Sequence, residues 1–305
     1  MERLPVELVA YIVQLAAYLF RSSDRVTVLN LAVTSWFVYH TVAPILHERI
    51  VIESAEERQT FLKLIHNELV AVKVLKHVRF LCTGTWYINT SPLAPMLVKI
   101  KTIYGPIGLW NDIAFAQAAR GHAIASDLRL WTADLPRDLK DVHRSSLQSL
   151  TRVHTFISYS SFHVEDTRDP ARWTRSILDQ LPHLTHLGFS HVDPEQVQLD
   201  AEERGPEDLG LILSMVSACQ QPCIQVLALR ITGRVIKRLS AYIRIALAGD
   251  AEWAMRRLCI WVDQRDIADW KTERELIADD ARRERTIWTE AKSLRWYVEA
   301  PDEAT

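Results

Sequence analysis

The sequence predicts an α/β protein in which three short N-terminal helices precede a domain of alternating strands and helices, arranged as an irregular solenoid. Within the first fifty positions, apolar residues recur at intervals of three and four, as on one helical face. After residue 50, three apolar residues spaced by two and then by one other residue return repeatedly, as in short buried strands. Helix-like stretches separate these copies, which is typical of a parallel α/β solenoid. We therefore assign residues 1–50 to a helical module and residues 51–305 to the α/β domain.

The composition is that of an ordinary globular protein. Of the 305 residues, 48% are hydrophobic and 24% are charged. A formal net charge of -2 predicts no general attraction to nucleic acid or to an anionic membrane, so we expect neither as a partner. Glycine is scarce, with 9 residues, which argues against glycine-rich phosphate loops.

The N-terminal module is predicted from its apolar periodicity. One helical face carries Leu4, Leu8, Ile12, Leu15 and Leu19. Pro5 suits the first turn of a helix, where its missing N–H costs nothing. A second helical stretch is expected from about Val26 to Tyr39, and Pro44 is expected to open a third short helix that ends near Ile50. Three short helices make a small bundle that needs further packing to complete its core.

The same residues resemble a known family. Residues 4–8 read Leu-Pro-Val-Glu-Leu and are followed by Ile12, which resembles the opening L-P-x-E-L-x-x-x-I of the F-box motif. Residues 29–37 resemble the second half of that motif, where an apolar, alanine-containing stretch precedes an aromatic residue, and residues 43–50 resemble its exit. The linker from residue 18 to residue 28 is longer and more polar than the family pattern.

The resemblance implies a role for the module. F-box proteins bind a Skp1-type adaptor, and through it a cullin–RING ubiquitin ligase. By this resemblance the adaptor would be contacted by Leu4, Pro5, Leu8, Ile12, Leu31 and Trp36. The alternative is that the N-terminal helices only cap the domain that follows.

The apolar pattern after residue 50 resembles an irregular leucine-rich repeat. Its copies are centred on Val78, Ile103, Leu128, Val153, Leu187, Leu227, Leu258 and Leu294. The first four centres lie about 25 residues apart, within the leucine-rich-repeat range, and the later spacings exceed that range. The usual Asn or Cys after the strand is missing, so we expect a degenerate repeat. Residues 181–187 resemble the repeats that follow many F-boxes, and a non-repetitive α/β domain is the alternative.

Helices are expected between the strands. The apolar faces begin at Phe61, at Leu135 and at Val235, and Pro170 suits the first position of a helix that continues to Leu181. These helices would lie on one side of the stacked strands.

A candidate partner face follows from the alternation of side chains along a strand. If Leu128, Leu187 and Leu227 point inside, as Val78 and Phe80 would, the residues beside them face out. The outward positions include Arg79, Arg129, His154 and Arg295, together with Gly188, Ala228 and Cys259. A solenoid usually binds its partner along such a ladder, here an unknown protein substrate. The alternative is a merely solvated strand face.

No pattern of a catalytic, cofactor or metal site is present. The sequence lacks a phosphate loop, a dinucleotide fingerprint, a G-x-S-x-G elbow and an H-E-x-x-H motif. The four cysteines are interpreted as free thiols, and His183, His186 and His191 as surface imidazoles rather than zinc ligands. The charged segment 263–285 is interpreted as a solvated helix with salt-bridge pairs. We therefore expect no enzymatic activity, cofactor or metal.

The combined features favour an intracellular adaptor protein. The apolar run from Leu8 to Phe20 lacks the flanks of a signal peptide and is too short to span a membrane. We expect a cytoplasmic or nuclear substrate receptor of a Skp1–cullin–F-box-type ubiquitin ligase. A non-enzymatic interaction scaffold without a ubiquitin-ligase link is the alternative.

Overall fold

The chain has an N-terminal helical region followed by an α/β region built on a mostly parallel sheet. The computed structural model describes residues 4–21, 24–83, 88, 93–131, 135–157, 170–191, 216–217, 219–232, 251–263, 279–283 and 285–299.

Three helices form the N-terminal region: α1 (Val6–Phe20), α2 (Arg25–Ala32) and α3 (Trp36–Leu46). Asp24 and Ser35 cap α2 and α3, because their side-chain oxygens accept hydrogen bonds from backbone N–H groups at 3.0 and 3.2 Å. The helices pack on a small core formed by Ala17, Val28, Ala32, Val42, Ile45 and Leu46.

The helix boundaries differ from those predicted. The expectation of one helix from Val26 to Tyr39 is wrong, since the chain turns at residues 33–34 and a new helix begins after the Ser35 cap. Pro44 does not open a third helix but lies inside α3, near its C-terminal end. The Ser35 cap therefore determines where α3 begins, although the apolar pattern continues through this position.

The sheet contains nine strands within the described residues, in sequential order. Strands β1 to β8 are parallel, and β9 pairs antiparallel with β8. Their bounds are Arg49–Val51 (β1), Phe80–Cys82 (β2), Thr102–Tyr104 (β3), Asp127–Trp131 (β4), Arg152–Ile157 (β5), His186–His191 (β6), Val226–Thr232 (β7), Leu258–Asp263 (β8) and Lys292–Ser293 (β9).

Helices connect the strands. They are Ala55–His66 (α4), Glu68–Leu75 (α5), Ile107–Ala119 (α6), Leu135–Lys140 (α7), Arg144–Leu147 (α8), Pro170–Gln180 (α9), Ala251–Arg257 (α10), Ile287–Glu290 (α11) and Leu294–Glu299 (α12). Pro170 is the first residue of its helix, as predicted. The predicted helix that begins at Val235 lies outside the described residues.

The apolar repeat centres largely coincide with the strand register. One ladder of paired Cα atoms runs through Ile103, Leu128, Val153, Leu187, Leu227 and Leu258. The two end copies do not belong to it: Leu81 takes the place expected of Val78, and Leu294 begins a helix. Phe80 is buried as predicted but on the opposite face, because it is the register partner of Thr102.

The main core lies between the sheet and the helices. The ladder residues just named pack with helical side chains such as Trp110, Ile113 and Ile177. The Trp110 indole donates to the Ala125 carbonyl at 3.0 Å, and buried Gln117 donates to one backbone group and accepts from another. The buried polar atoms of Trp110 and Gln117 are therefore hydrogen-bonded.

The described ranges contain no helix with both the length and the apolar character needed to cross a membrane. In the same ranges, no three His, Cys, Asp or Glu side chains lie together as potential metal ligands. The four cysteines form no disulfide.

Candidate functional site

An extended apolar surface covers the outside of the three N-terminal helices. Four residues expected to bind an adaptor are exposed by 61% (Leu4), 42% (Leu8), 50% (Ile12) and 78% (Trp36). Pro5 is also exposed, and Leu31 is partly buried. Further exposed apolar side chains lie on the same helices: Val6, Tyr11, Leu15, Tyr18, Leu19, Phe20, Val26, Leu29, Val33 and Phe37.

This surface arises because α1 is apolar on nearly all sides. Its residue Ala17 is fully buried, whereas the predicted stripe at Leu8, Leu15 and Leu19 faces away from the small core. Large apolar side chains exposed in such number on three short helices favour an interaction site.

Ion pairs join the helical region to the sheet. The Glu48 carboxylate lies 3.1 Å from Arg21 at the end of α1 and 3.7 Å from Arg79 just before β2. The Glu48 carbonyl also accepts hydrogen bonds from the backbone N–H groups of Arg79 and Phe80. Arg79 thus helps to hold the first two strands, while its side chain stays half exposed.

The face of the sheet opposite the helices, hereafter the inner face, carries most of the residues predicted to contact a protein partner. Arg129, His154, Gly188, Ala228 and Cys259 are register partners on successive strands, as expected. The expectation that this ladder faces solvent is wrong: Arg129, His154, Gly188 and Ala228 are buried, and Cys259 is partly buried.

Arg79 and Arg295 do not belong to this ladder. Arg79 precedes β2. The β2 residue that continues the ladder is Cys82, because Cys82 pairs with Tyr104 and Tyr104 pairs with Arg129. Arg295 is exposed but lies on α12, beyond the short antiparallel strand.

A C-terminal segment, residues 279–283 and 285–291, lies on the inner face before the chain enters β9; we call it the strap. Ile287 of the strap packs with Ala228 and Trp261 in a buried cluster. The Trp288 ring lies 5.7 Å from the His186 ring and 6.4 Å from the His154 ring, between ring centroids. The strap therefore removes from solvent the ladder that the sequence predicts to be exposed.

Buried ionic contacts anchor the strap at Arg230 on β7. The Arg230 guanidinium donates to Asp263 of β8 and, at 2.7 Å, to Asp280 of the strap. Its central carbon lies 4.1 Å from the centroid of the Trp261 ring, a cation–π contact. All three ionic groups are buried, so the desolvation of each charge is offset by its partners.

A second set of contacts ties the strap to the first strand of the sheet. Arg49 of β1 donates to the Ala281 carbonyl at 2.7 Å, and Arg282 forms ion pairs with Glu53 and Glu57 of the α4 region. Adjacent strap residues, Asp280 and Ala281, thus contact β7 and β1. A flat sheet would separate these strands by about 29 Å, so the contacts indicate that the sheet curves toward its inner face.

Two titratable groups under the strap are held neutral. Burial lowers the pKa of His154 well below its usual value of 6.5, and the positive charges of Arg129 and Arg230 add to this effect. The His154 ring hydrogen-bonds with the Ser190 hydroxyl at 2.8 Å. Burial likewise raises the pKa of Tyr104 well above its usual value of 10.0. The contact of His154 with the strap is therefore that of a neutral ring beside Trp288.

Sequence reasoning did not identify the Arg230 group. The segment 263–285 was expected to be a solvated helix, but Asp263 ends β8 and Asp280 is buried against Arg230; residues 264–278 lie outside the described ranges. The sequence feature that indicates this group is an arginine within an otherwise apolar strand. A charge buried in such a strand requires a partner of opposite charge.

Comparisons with known proteins assign no family to the chain. No protein-family model matches the chain, and the search of curated proteins yields no match.

Proposed function

We propose that the chain is a substrate-receptor subunit of a Skp1–cullin–F-box-type ubiquitin ligase. In this proposal the N-terminal helices bind a Skp1-type adaptor, and a leucine-rich-repeat-like solenoid, residues 51–305, holds a protein substrate. The protein performs no chemistry of its own and acts inside the cell, in the cytoplasm or the nucleus.

The apolar surface of the N-terminal helices is the observation that carries this proposal. The exposed side chains Leu4, Leu8 and Ile12 stand at the positions where the sequence resembles the F-box opening, and Trp36 stands in its second half. Each such side chain, once buried by a partner, contributes about 1.5–3 kcal/mol before ordering costs.

The solenoid part of the proposal rests on the sequential strand order and the ladder of apolar repeat centres. In a solenoid each repeat contacts mainly its neighbours, so consecutive strands pair and each strand contributes one residue to a common ladder. The unequal spacings of the later centres and the strap over the inner face are departures from a regular repeat.

The test is co-purification of the full chain with a Skp1-type adaptor. We expect a stoichiometric complex with the wild type and a loss of affinity of at least about 100-fold for the Leu4→Asp/Leu8→Asp variant. The matched control is Leu69→Asp/Val72→Asp, which places the same charges on exposed apolar positions of α5. Circular dichroism would verify that both variants are folded.

Two results would contradict the proposal: a wild-type monomer that ignores the adaptor, or equal loss of binding in both variants. The second candidate function, an interaction scaffold whose N-terminal helices cap the α/β region, is favoured by the ion pairs of Glu48 with Arg21 and Arg79. It predicts that Arg21→Ala lowers the melting temperature of the whole chain, with no adaptor bound at any concentration.

A further inference from the structure

The residues that lead into the strands form one continuous edge of the molecule. Because β2 to β7 are parallel and in sequential order, their amino-terminal ends lie side by side. Backbone hydrogen bonds join the connections directly, from Lys101 N–H to the Arg79 carbonyl at 2.9 Å and from Asp127 N–H to the Lys101 carbonyl at 3.3 Å. We call this surface the amino-terminal edge; it comprises residues 76–79, 99–101, 120–126, 148–152, 182–185 and 220–225.

This edge is basic although the chain as a whole is slightly acidic. The residues just given include no Asp or Glu, although Asp127, the register partner of Arg152, directly follows residue 126. The whole chain has 38 Asp and Glu residues and a net charge of -2. The cationic residues of the edge are Lys76, Arg79, Lys99, Lys101, Arg120 and Arg152. Positive charge is therefore concentrated here by the fold, because these positions are far apart in sequence.

Most of these cations are available to a partner. Lys76, Lys99, Lys101, Arg120 and Arg152 are exposed, and in the described part of the chain no carboxylate forms an ion pair with them.

The carboxylates beside the edge are engaged elsewhere. Asp127, the first residue of β4, accepts a hydrogen bond from the Thr102 hydroxyl at 3.2 Å and pairs with Arg129 at 3.4 Å. Glu48 pairs with Arg21 as well as with Arg79. Neither neutralises the exposed lysines.

The positive potential at this edge affects the pKa of His77. Burial lowers the pKa of His77, and the charges of Lys76 and Lys99 lower that pKa further. A positive potential of this kind attracts anionic groups and raises their rate of association.

The arrangement of the cations indicates what kind of anion fits. Neighbouring strands are about 4.8 Å apart, so the charges from β2 to β5 extend over about 15 Å. A single phosphate is usually held by convergent arginine forks, whereas most of these cations are separate, exposed side chains. Single-stranded nucleic acid is usually bound through stacking on aromatic rings, and the edge contains no Phe, Tyr or Trp. Carboxylates spread along an extended chain match the spacing best.

We propose that the amino-terminal edge is a docking surface for an acidic protein segment, rich in Asp or Glu, in extended conformation. The inner face, where the sequence predicts the partner, is covered by the strap, whereas the amino-terminal edge carries exposed cations. The proposal adds a class of partner to the receptor role above, but its test uses the chain alone and is decided independently of adaptor binding.

Fluorescence anisotropy with a labelled oligoglutamate of about ten residues, which spans about 33 Å when extended, tests the proposal on the full chain. We expect saturable binding that weakens between about 50 and 200 mM salt, and no binding of an oligoglutamine of equal length. In the Lys99→Glu/Lys101→Glu variant, affinity should fall at least about fivefold.

The matched control is Lys63→Glu/Lys140→Glu, which changes the net charge equally at exposed positions of α4 and α7. This control should bind the oligoglutamate as the wild type does. The proposal is overturned if the wild type does not bind the peptide, or if both variants lose affinity equally. It is overturned in favour of nucleic acid if a labelled oligothymidylate binds more tightly than the peptide and only the Lys99/Lys101 variant loses it.

Discussion

Gly188 shows how one residue determines whether the strap can lie on the inner face. A Cβ atom at this position would stand 3.0 Å from Cη2 of Trp288 and 3.1 Å from Cγ2 of Ile287, closer than side chains normally approach. Glycine is therefore required by the close approach of the strap rather than by its backbone angles. The sequence predicts Gly188 as an exposed position, and the strap reverses that assignment.

We predict that Gly188→Ala lowers the free energy of unfolding by about 1–3 kcal/mol, because the Ile287 and Trp288 side chains must shift. Urea denaturation measures this change. The control is Gly108→Ala in α6, where a Cβ meets nothing within 4 Å; it should be neutral or stabilise by up to about 1 kcal/mol. An equal loss of stability in both variants would show that the strap does not rest on Gly188.

At the scale of elements, the strap acts as a cover that is anchored by charge. The helices on the other face of the sheet are held by apolar burial. The strap is held by the contact of Asp280 with Arg230, by Arg49 of β1, and by the ion pairs of Arg282 with Glu53 and Glu57. A buried ion pair often contributes little net stability compared with apolar side chains of the same volume, but removing one member leaves an unpaired charge. The strap is therefore sensitive to single substitutions in this group.

We predict that Arg230→Met costs about 3–5 kcal/mol of unfolding free energy, since Asp263 and Asp280 are left buried without their cation. Adding Asp263→Leu and Asp280→Leu to that variant should recover most of the loss, because the triple variant buries no unpaired charge. Urea denaturation of the two variants beside the wild type measures both effects. If the triple variant is as unstable as Arg230→Met, the packing of the Arg230 side chain rather than its charge determines the loss of stability.

At the scale of the whole molecule, the buried histidines link the fold to pH. The neutral form of His154 is favoured in the folded chain because burial and two arginines oppose a further positive charge. His186 shows the same direction through its partial burial and Arg152. The unfolded chain binds a proton at these residues near the usual pKa of 6.5, so stability is highest above that pH and falls as the pH drops toward the lowered folded-state values.

We therefore predict that the unfolding free energy falls between pH 7.5 and about 5.5, and that His154→Gln reduces this decrease. Glutamine retains a hydrogen-bonding group near the Ser190 hydroxyl but does not titrate. Urea denaturation at several pH values provides the test. The same pH dependence in wild type and His154→Gln would mean that other groups determine the acid sensitivity.

The exposed N-terminal helices and the amino-terminal edge place the two proposed docking surfaces on different parts of the molecule. One is apolar and the other basic, so they suit partners of different chemistry. A receptor that joins an adaptor to a substrate requires two such surfaces.

Local pattern was sufficient for much of the architecture. Leu128 lies between the polar residues Asp127 and Arg129, and this alternation places it in the buried ladder together with Leu187 and Leu227. Pro170 begins its helix because proline lacks only an N–H that has no partner there. The prediction that Val78 and Leu294 are strand centres is wrong, because the same apolar spacing also occurs before a strand and at the start of a helix.

Periodicity in the sequence is enough to predict an α/β chain of strands in sequential order, preceded by three short apolar helices. Which surfaces remain accessible depends on contacts between segments that are far apart in the chain. His154 and Gly188 are covered because the strap, more than 90 residues later in the chain, packs against them. The lysines of the amino-terminal edge lie on one surface because parallel strands bring their starts together. Periodicity reports which side of a strand a residue occupies; it contains no information about a distant segment that covers that side.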